Sequence, residues 1–331
     1  MNLSMTGALA AAYHSGAQRA RVVTESWGES NLYCPNCSSP NLTWLEPGHP
    51  ASDYSCPKCR FWFQLKSQRS PIRSSITDGA YEAMMRAYHN DEMPSFYFMQ
   101  YEIIPSLAGA GEGGTDAAGQ DEGRGEKLIK SPRPDPLPAV RGEGMLWRVK
   151  NLLLVPSFAF PPSALIKRKP LSPTARRAGW VGCNIALNRV PAEARIAVVT
   201  TILSPSQSSA GVSPAPTSNS SEGRRDACAT LSLGERVVIT PATEVRARCK
   251  RVKPLNEISV TQRGWTLDVL NAIRRLGKTE FTTTDAYAFT RELEKLHPDN
   301  RHVRDKIRQQ LQELRNRNLL LHVGRNCWRL P

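Results

Sequence analysis

Apolar positions along this chain keep two different periods, and where the period changes the chain divides. In residues 17–29, Val22, Val23 and Trp27 recur at mixed helical spacing, which predicts an opening helix with Glu25 on it. Over 61–66 the period drops to two. Phe61, Phe63 and Leu65 face one side and Trp62, Gln64 and Lys66 the other, as in a strand. Thr77 or Asp78 then stands as a cap before a helix through Ala80, Met84, Met85 and Tyr88; its methionines suit a core, and Pro94 ends the unit. Phe96, Tyr97, Phe98, Tyr101 and Ile103 form a strongly β-prone run, expected as a buried central strand. Further strands are expected at 149–155 and at 196–202, the latter closing the sheet. Residues 224–254 predict only a short strand at 237–239 and a basic run at 246–251, without a definite fold.

Beyond that point the helical period returns. Leu267, Leu270, Ile273 and Leu276 mark one helix ended by Gly277, and Thr284 or Asp285 caps a second through Tyr287 and Leu293. A third, over about 300–317, buries Val303, Ile307, Leu311 and Leu314 and turns Arg301, Arg304, Arg308, Gln309 and Arg315 outward. Strands at 319–323 and 327–330 around a Gly324-Arg325-Asn326 turn complete a winged-helix pattern. Winged helices also serve as protein-binding modules; the basic third helix favours DNA.

Composition sharpens this division. Residues 106–144 are Gly, Ala, Pro and mixed charge, with little to fill a core, and read as a disordered insertion; 204–222 is Ser/Pro/Ala-rich and reads as a domain boundary. The expected organisation is therefore an α/β domain over 1–203, a linker or insertion over 204–254 and a winged helix over 255–331. A chain of 331 residues accommodates two domains, and its formal net charge of +14 makes a polyanion the natural partner. No apolar run reaches a membrane-spanning length, a signal peptide is not expected, and four scattered cysteines suggest a reducing cytoplasm.

The other four cysteines are not scattered. Cys34-Pro35-Asn36-Cys37 and Cys56-Pro57-Lys58-Cys59 have zinc-ribbon spacing, in which two tight turns aim four thiolates at one tetrahedral ion. Two disulfides would be the alternative, in an oxidising compartment that nothing else supports. If 54–55 ends one strand and Phe61 starts its antiparallel partner, the second knuckle is the hairpin turn, and Asp53 lies near Gln64 across the pair. An acidic residue, a second oxygen ligand and a lysine grouped in this way can hold a hard divalent cation beside a phosphate and position a water for in-line attack. The same residues are equally well the polar face of a zinc-ribbon hairpin. A second basic stretch, Lys167-Arg168-Lys169-Pro170 followed by Arg176, Arg177 and Trp180, suits a surface laid along phosphates. Gly179 and Gly182 leave room around that indole, either to meet a base or to cover a loop.

With these residues in view, the chain resembles the Dam-replacing, DpnI-like methyl-directed type II restriction endonucleases, a branch of the PD-(D/E)XK nucleases with a zinc-binding insertion. The likeness runs through 20–27, Tyr33-Cys34-Pro35-Asn36-Cys37, 74–81 and Lys169-Pro170-Leu171-Ser172-Pro173-Thr174-Ala175-Arg176-Arg177-Ala178-Gly179-Trp180, and again from Arg263-Gly264-Trp265-Thr266 to 306–312. The resemblance implies a PD-(D/E)XK core with an embedded zinc ribbon and a C-terminal winged helix. It implies hydrolysis of double-stranded DNA at adenine-methylated GATC sites by a cytoplasmic, monomeric enzyme. Asp53 and Gln64 would bind catalytic Mg²⁺, Lys66 would act on the attacking water, and Cys34, Cys37, Cys56 and Cys59 would hold structural Zn²⁺. Both the 176–180 loop and the third helix of the winged helix would read the methyl mark. In one respect the chain departs from that pattern: the family signature has Glu where Gln64 stands. A non-cleaving methyl-DNA-binding regulator is the competing expectation.

Overall fold

Two long strands, apolar on both faces over much of their length, form the axis of the molecule. The computed structural model describes residues 1–46, 52–105, 145–203 and 235–331. In chain order its elements are β1 (Ser4–Met5), α1 (Gly16–Asn31), β2 (Thr43–Trp44), β3 (Tyr54–Ser55), β4 (Trp62–Gln68), β5 (Ser75–Ala80), α2 (Tyr81–His89), β6 (Ser95–Pro105), β7 (Met145–Val155), β8 (Leu165–Lys167), β9 (Gly182–Ala186), β10 (Ile196–Leu203), β11 (Glu235–Ile239), α3 (Ala242–Val252), α4 (Val260–Arg274), β12 (Glu280–Thr282), α5 (Thr283–Ala286), α6 (Thr290–Leu296), α7 (Val303–Asn316), β13 (Leu321–Gly324) and β14 (Cys327–Arg329), with short 3-10 turns between them.

The main sheet has the order β11-β10-β7-β6-β4-β3-β2, and β1 adds to β7. Only the β4–β6 pair within it is parallel, so the chain between those strands must cross over, and β5 and α2 are that crossover. Both faces of the sheet are covered, as the apolar run of β6 requires. Tyr97, Met99, Phe63 and Leu65 are buried on the α1 and α3 side with Val23, Trp27 and Val245. Phe96 and Phe98 stack at 5.4 Å on the other side, with Ile76, Met84, Tyr88 and Ile185 from α2 and the smaller sheet β5-β9-β8. Gly28 lets α1 press on β3. A Cβ there would collide with the Tyr54 hydroxyl, which donates to the Glu25 carbonyl at 2.7 Å.

Three sequence expectations change. Asp78 and Thr77 are not helix caps; they lie in β5, and α2 is preceded by Ala80. The strand at 196–202 does not close the sheet, because β11 pairs with it from Val199↔Ile239 to Leu203↔Glu235. The second half of the segment read as a linker, 204–254, therefore belongs to the first domain, with α3 packed beneath the sheet. The predicted insertion at 106–144 and the first part of that linker, 204–234, lie outside the described residues.

The C-terminal region has the expected three-helix and wing topology, with two revisions: a third strand, β12, pairs with β14, and the second helix is capped by a Thr282–Asp285 capping box. Among the described residues the first domain and the winged helix pack directly against each other. From α3 a 3-10 turn at Lys253–Glu257 leads straight into α4, and one apolar cluster runs from Phe96 and Phe160 through Leu255 and Ile258 to Leu267, Leu270 and Leu311. Polar contacts cross the same junction: Tyr88 Oη to the Val260 carbonyl at 3.3 Å, Ser163 Oγ to Asp268 Oδ1 at 2.5 Å, and Arg263 Nη1 to Asp91 Oδ1 at 2.8 Å.

Candidate functional site

The four knuckle thiols converge. Their sulfurs all lie within 4.8 Å of one another, and the Cys34–Cys59 and Cys37–Cys56 pairs are each 3.5 Å apart. This is too long for a disulfide and close to the edge of a tetrahedron with metal–sulfur bonds of about 2.3 Å. Backbone amides of Ser39 and Cys59 point at Cys37 and Cys56 Sγ, both at 3.4 Å, as knuckle turns do. The donor set fits zinc and could hold it as a closed site. One contributor was not legible in the sequence. Arg246 of α3 reaches the first knuckle, its Nε 3.1 and 2.8 Å from the Cys34 and Cys37 carbonyls and its Nη2 3.0 Å from that of Ser39, with the guanidinium over the Tyr33 ring. From sequence alone it falls only within a basic run.

The second knuckle is the turn between β3 and β4, whose register pairs Tyr54 with Phe63 and Ser55 with Trp62. Asp53 thus falls one step beyond the last pair, opposite Gln64. Its amide donates to the Phe63 carbonyl at 2.9 Å, and its Oδ2 accepts from the Leu65 amide at 2.9 Å, doing what a strand partner would do if β3 ran further. Burial and the Glu25 carboxylate push the Asp53 acid up to about 6, against the pull of the Leu65 amide, Lys66 and Arg21. Glu25 projects from α1 toward this cluster and pairs with Arg21 at 2.6 Å. Gln64 is buried, and its Oε1 has no hydrogen-bond partner among the described residues. Lys66, on the same face of β4, is ion-paired with Asp78 Oδ1. The Asp78 side chain is 1% exposed, and its Oδ2 also lacks a partner there. Sequence reasoning missed Asp78 by taking it for a cap; in β5 it turns inward with Ile76, while Ser75, Thr77 and Gly79 face outward.

The predicted DNA-facing residues fall on two surfaces. Between β8 and β9 the loop closes on itself through Leu171 N to Trp180 O at 2.9 Å and Gly179 N to Leu171 O at 3.2 Å, with Gly179 at φ +75°. Trp180 lies over Gly182, where a Cβ would sit 2.9 Å from the ring, and Arg177 lies over the indole at 5.0 Å. Arg176 and Arg177 are exposed. β9 leaves this loop to pair with β5, the strand that carries Asp78. The other surface is α7: Arg301 just before it and Arg304, Arg308 and Gln309 on it are all exposed, and Arg304 and Arg308 both flank the Tyr287 ring.

Comparison with protein families accounts for both halves. The model of the Dam-replacing family matches residues 1–105 and 143–209. The chain belongs to that family. A second model, the Dam-replacing HTH domain, matches residues 261–329, which begins in the first turn of α4 and ends in β14. The sequence resemblance to methyl-directed restriction enzymes with a C-terminal helix-turn-helix thus stands. Within the Dam-replacing frame, residues 106–142 fall in the gap between the two matched blocks, between the strands β6 and β7. β11 and α3 fall between the family match and the HTH match, although they complete the sheet and hold the first knuckle. Among the described residues no helix is long and apolar enough to cross a membrane.

Proposed function

We propose that this chain is a type II, methyl-directed restriction endonuclease that hydrolyses phosphodiester bonds of double-stranded DNA at adenine-methylated GATC sites, as a cytoplasmic monomer with a PD-(D/E)XK core. The observation that carries the reading is the polar cluster in a Dam-replacing chain: Asp53, next to β3, and Gln64 and Lys66 on β4 share one hairpin, whose turn carries the cysteine cluster. Asp53 through its carboxylate and Gln64 through its otherwise unpartnered amide oxygen would hold Mg²⁺. A dication there would polarise a phosphoryl oxygen and ease deprotonation of a water. Asp53 serves this purpose as the anion, so it must have lost its proton, as it has above about pH 6. The Lys66 ammonium is placed to orient the attacking water and to offset charge building on the phosphate. Zinc on Cys34, Cys37, Cys56 and Cys59 keeps the register and takes no part in the chemistry.

Recognition falls to the two exposed basic surfaces. Adenine's methyl is an apolar projection in the major groove, which the Trp180 face can cover and α7 can pack against, while Arg176, Arg177, Arg301, Arg304 and Arg308 meet phosphates or guanine edges and Gln309 a base edge. The test is incubation of adenine-methylated and unmethylated plasmid with the zinc-loaded protein and Mg²⁺. Linear or fragmented DNA is expected only from the methylated plasmid, and none from Asp53→Asn. Gln64 favours one other reading, since it offers the cation no charge where the family signature has Glu: a methyl-DNA-binding regulator that does not cut. Binding of methylated DNA without cleavage at any Mg²⁺ or Mn²⁺ concentration would establish that alternative.

A further inference from the structure

We propose that Asp78 is the second carboxylate of the cleavage site and supplies the negative charge that residue 64 lacks. This rests on reading Asp53, Gln64 and Lys66 as a cation-dependent nuclease site. Of those three, Asp53 carries one negative charge, Lys66 one positive and Gln64 none, so together they offer a dication no net attraction. Asp78 makes the set negative, whereas the Glu25 carboxylate near Asp53 is already paired with Arg21. It reaches the cluster from a different element, the crossover strand β5, and its contact with Lys66 is direct.

Two buried oxygens point to a ligand and not merely to a counter-ion for Lys66. Pairing with Lys66 satisfies Asp78 Oδ1 but leaves Oδ2 without a partner among the described residues, and Gln64 Oε1, in a residue only 9% exposed, has none there either. Leaving a buried acceptor unmet costs about 1–3 kcal/mol each, so two of them around one lysine call for something electropositive. One carboxylate oxygen and one amide oxygen are ligands for a hard divalent cation. The neighbouring group on β9, Cys183, is fully buried and contributes no positive charge to compete for them. In this arrangement Asp78 faces both ways: one oxygen holds the Lys66 ammonium in place, and the other joins Asp53 and Gln64 in holding the metal.

The test is titration of the full-length, zinc-loaded protein with Mn²⁺ in the absence of DNA, by calorimetry, so that binding is read without turnover. Four proteins are compared: the natural chain, Asp53→Asn, Asp78→Asn, and Asp78→Asn combined with Gln64→Glu, which moves the carboxylate from β5 to β4. Asp78→Asn is expected to weaken Mn²⁺ binding about tenfold or more, and the double variant to recover most of it. Recovery in the double variant would show that what Asp78→Asn removes is carboxylate charge at the site and not the fold. Undiminished Mn²⁺ affinity in Asp78→Asn, alongside loss in Asp53→Asn, overturns the proposal and leaves the nuclease reading standing. Undiminished affinity in Asp53→Asn instead overturns the nuclease reading on which it rests. Circular dichroism reports folding. Where Asp78→Asn alone does not fold, the double variant decides: it keeps a carboxylate beside Lys66, and weak Mn²⁺ binding by the folded double variant overturns the proposal.

Discussion

Asp53 shows at the scale of one residue how a site's chemistry is set by its surroundings. Its carboxyl sits where β3 runs out, holds the Leu65 amide, and lies near the Glu25 carboxylate in a buried environment that raises it to about 6. A raised acid binds its proton more tightly in the folded state. Its contribution to stability is therefore fully present below the unfolded value near 3.8 and is lost as pH rises through about 6. Shifts of this size correspond to a cost on the order of 1–3 kcal/mol at neutral pH in the absence of a dication. Asp53→Asn, which has no proton to lose, is accordingly expected to be more stable than the natural chain at pH 8 and to lose that advantage by pH 4. Thermal unfolding with divalent cations removed measures it. Mg²⁺, which needs the ionised form, should bind progressively less well below pH 6.

At the scale of elements, the hairpin β3–β4 is held from two directions. The cysteine cluster clamps its turn, and α3, arriving from a remote part of the chain, clamps the first knuckle through Arg246. Three carbonyls accept from that one guanidinium. Losing a charged donor to part-buried carbonyls costs about 2 kcal/mol or more. Arg246→Ala is expected to lower stability by that order and to speed loss of zinc to a chelator, whereas Arg248→Ala, whose guanidinium pairs with Glu244 on the same helix, should do neither. A colorimetric zinc-release assay separates the two variants. Equal release rates would show that α3 does not support the knuckle.

Taken whole, the molecule is a sheet with a helical layer on one face and, on the other, a second sheet that continues without a break into the winged helix. The basic loop at Trp180 and the basic helix α7 are therefore carried on one connected scaffold, not on two bodies joined by a tether. Arg263 stands at the junction. Its side chain is 3% exposed and joins the Asp91 carboxylate to the Ile258 carbonyl, while Asp91 itself is 58% exposed and can turn to water. Because only the arginine end is buried, Arg263→Ala is expected to cost about 2 kcal/mol, less than a pair buried at both ends. Calorimetry is expected to show a single unfolding transition for the natural chain and a lower or split one for the variant. A split transition already present in the natural chain would mean that the junction does not couple the two parts.

What the sequence by itself determined was local. The knuckle spacing brings four thiols together, the alternation over 61–66 places Gln64 and Lys66 on one face, and the turn between the strands sets Asp53 opposite Gln64, because each depends on a few neighbouring residues and a single period. The helices of the winged helix were legible for the same reason, each a stripe at 3.6-residue spacing ended by Gly277 or by a polar cap. Asp78 was not. A Thr-Asp pair before a helix looks the same whether it caps that helix or ends a strand, and only the pairing of β5 with β9 turns the acid inward to Lys66. Nor could periodicity assign Arg246 to the first knuckle or dock α4 on the second sheet, since both contacts join residues far apart in the chain. Local spacing chose the chemical groups, and long-range packing decided which of them meet, because burial against a distant element is what removes water from a side chain and makes its partner matter.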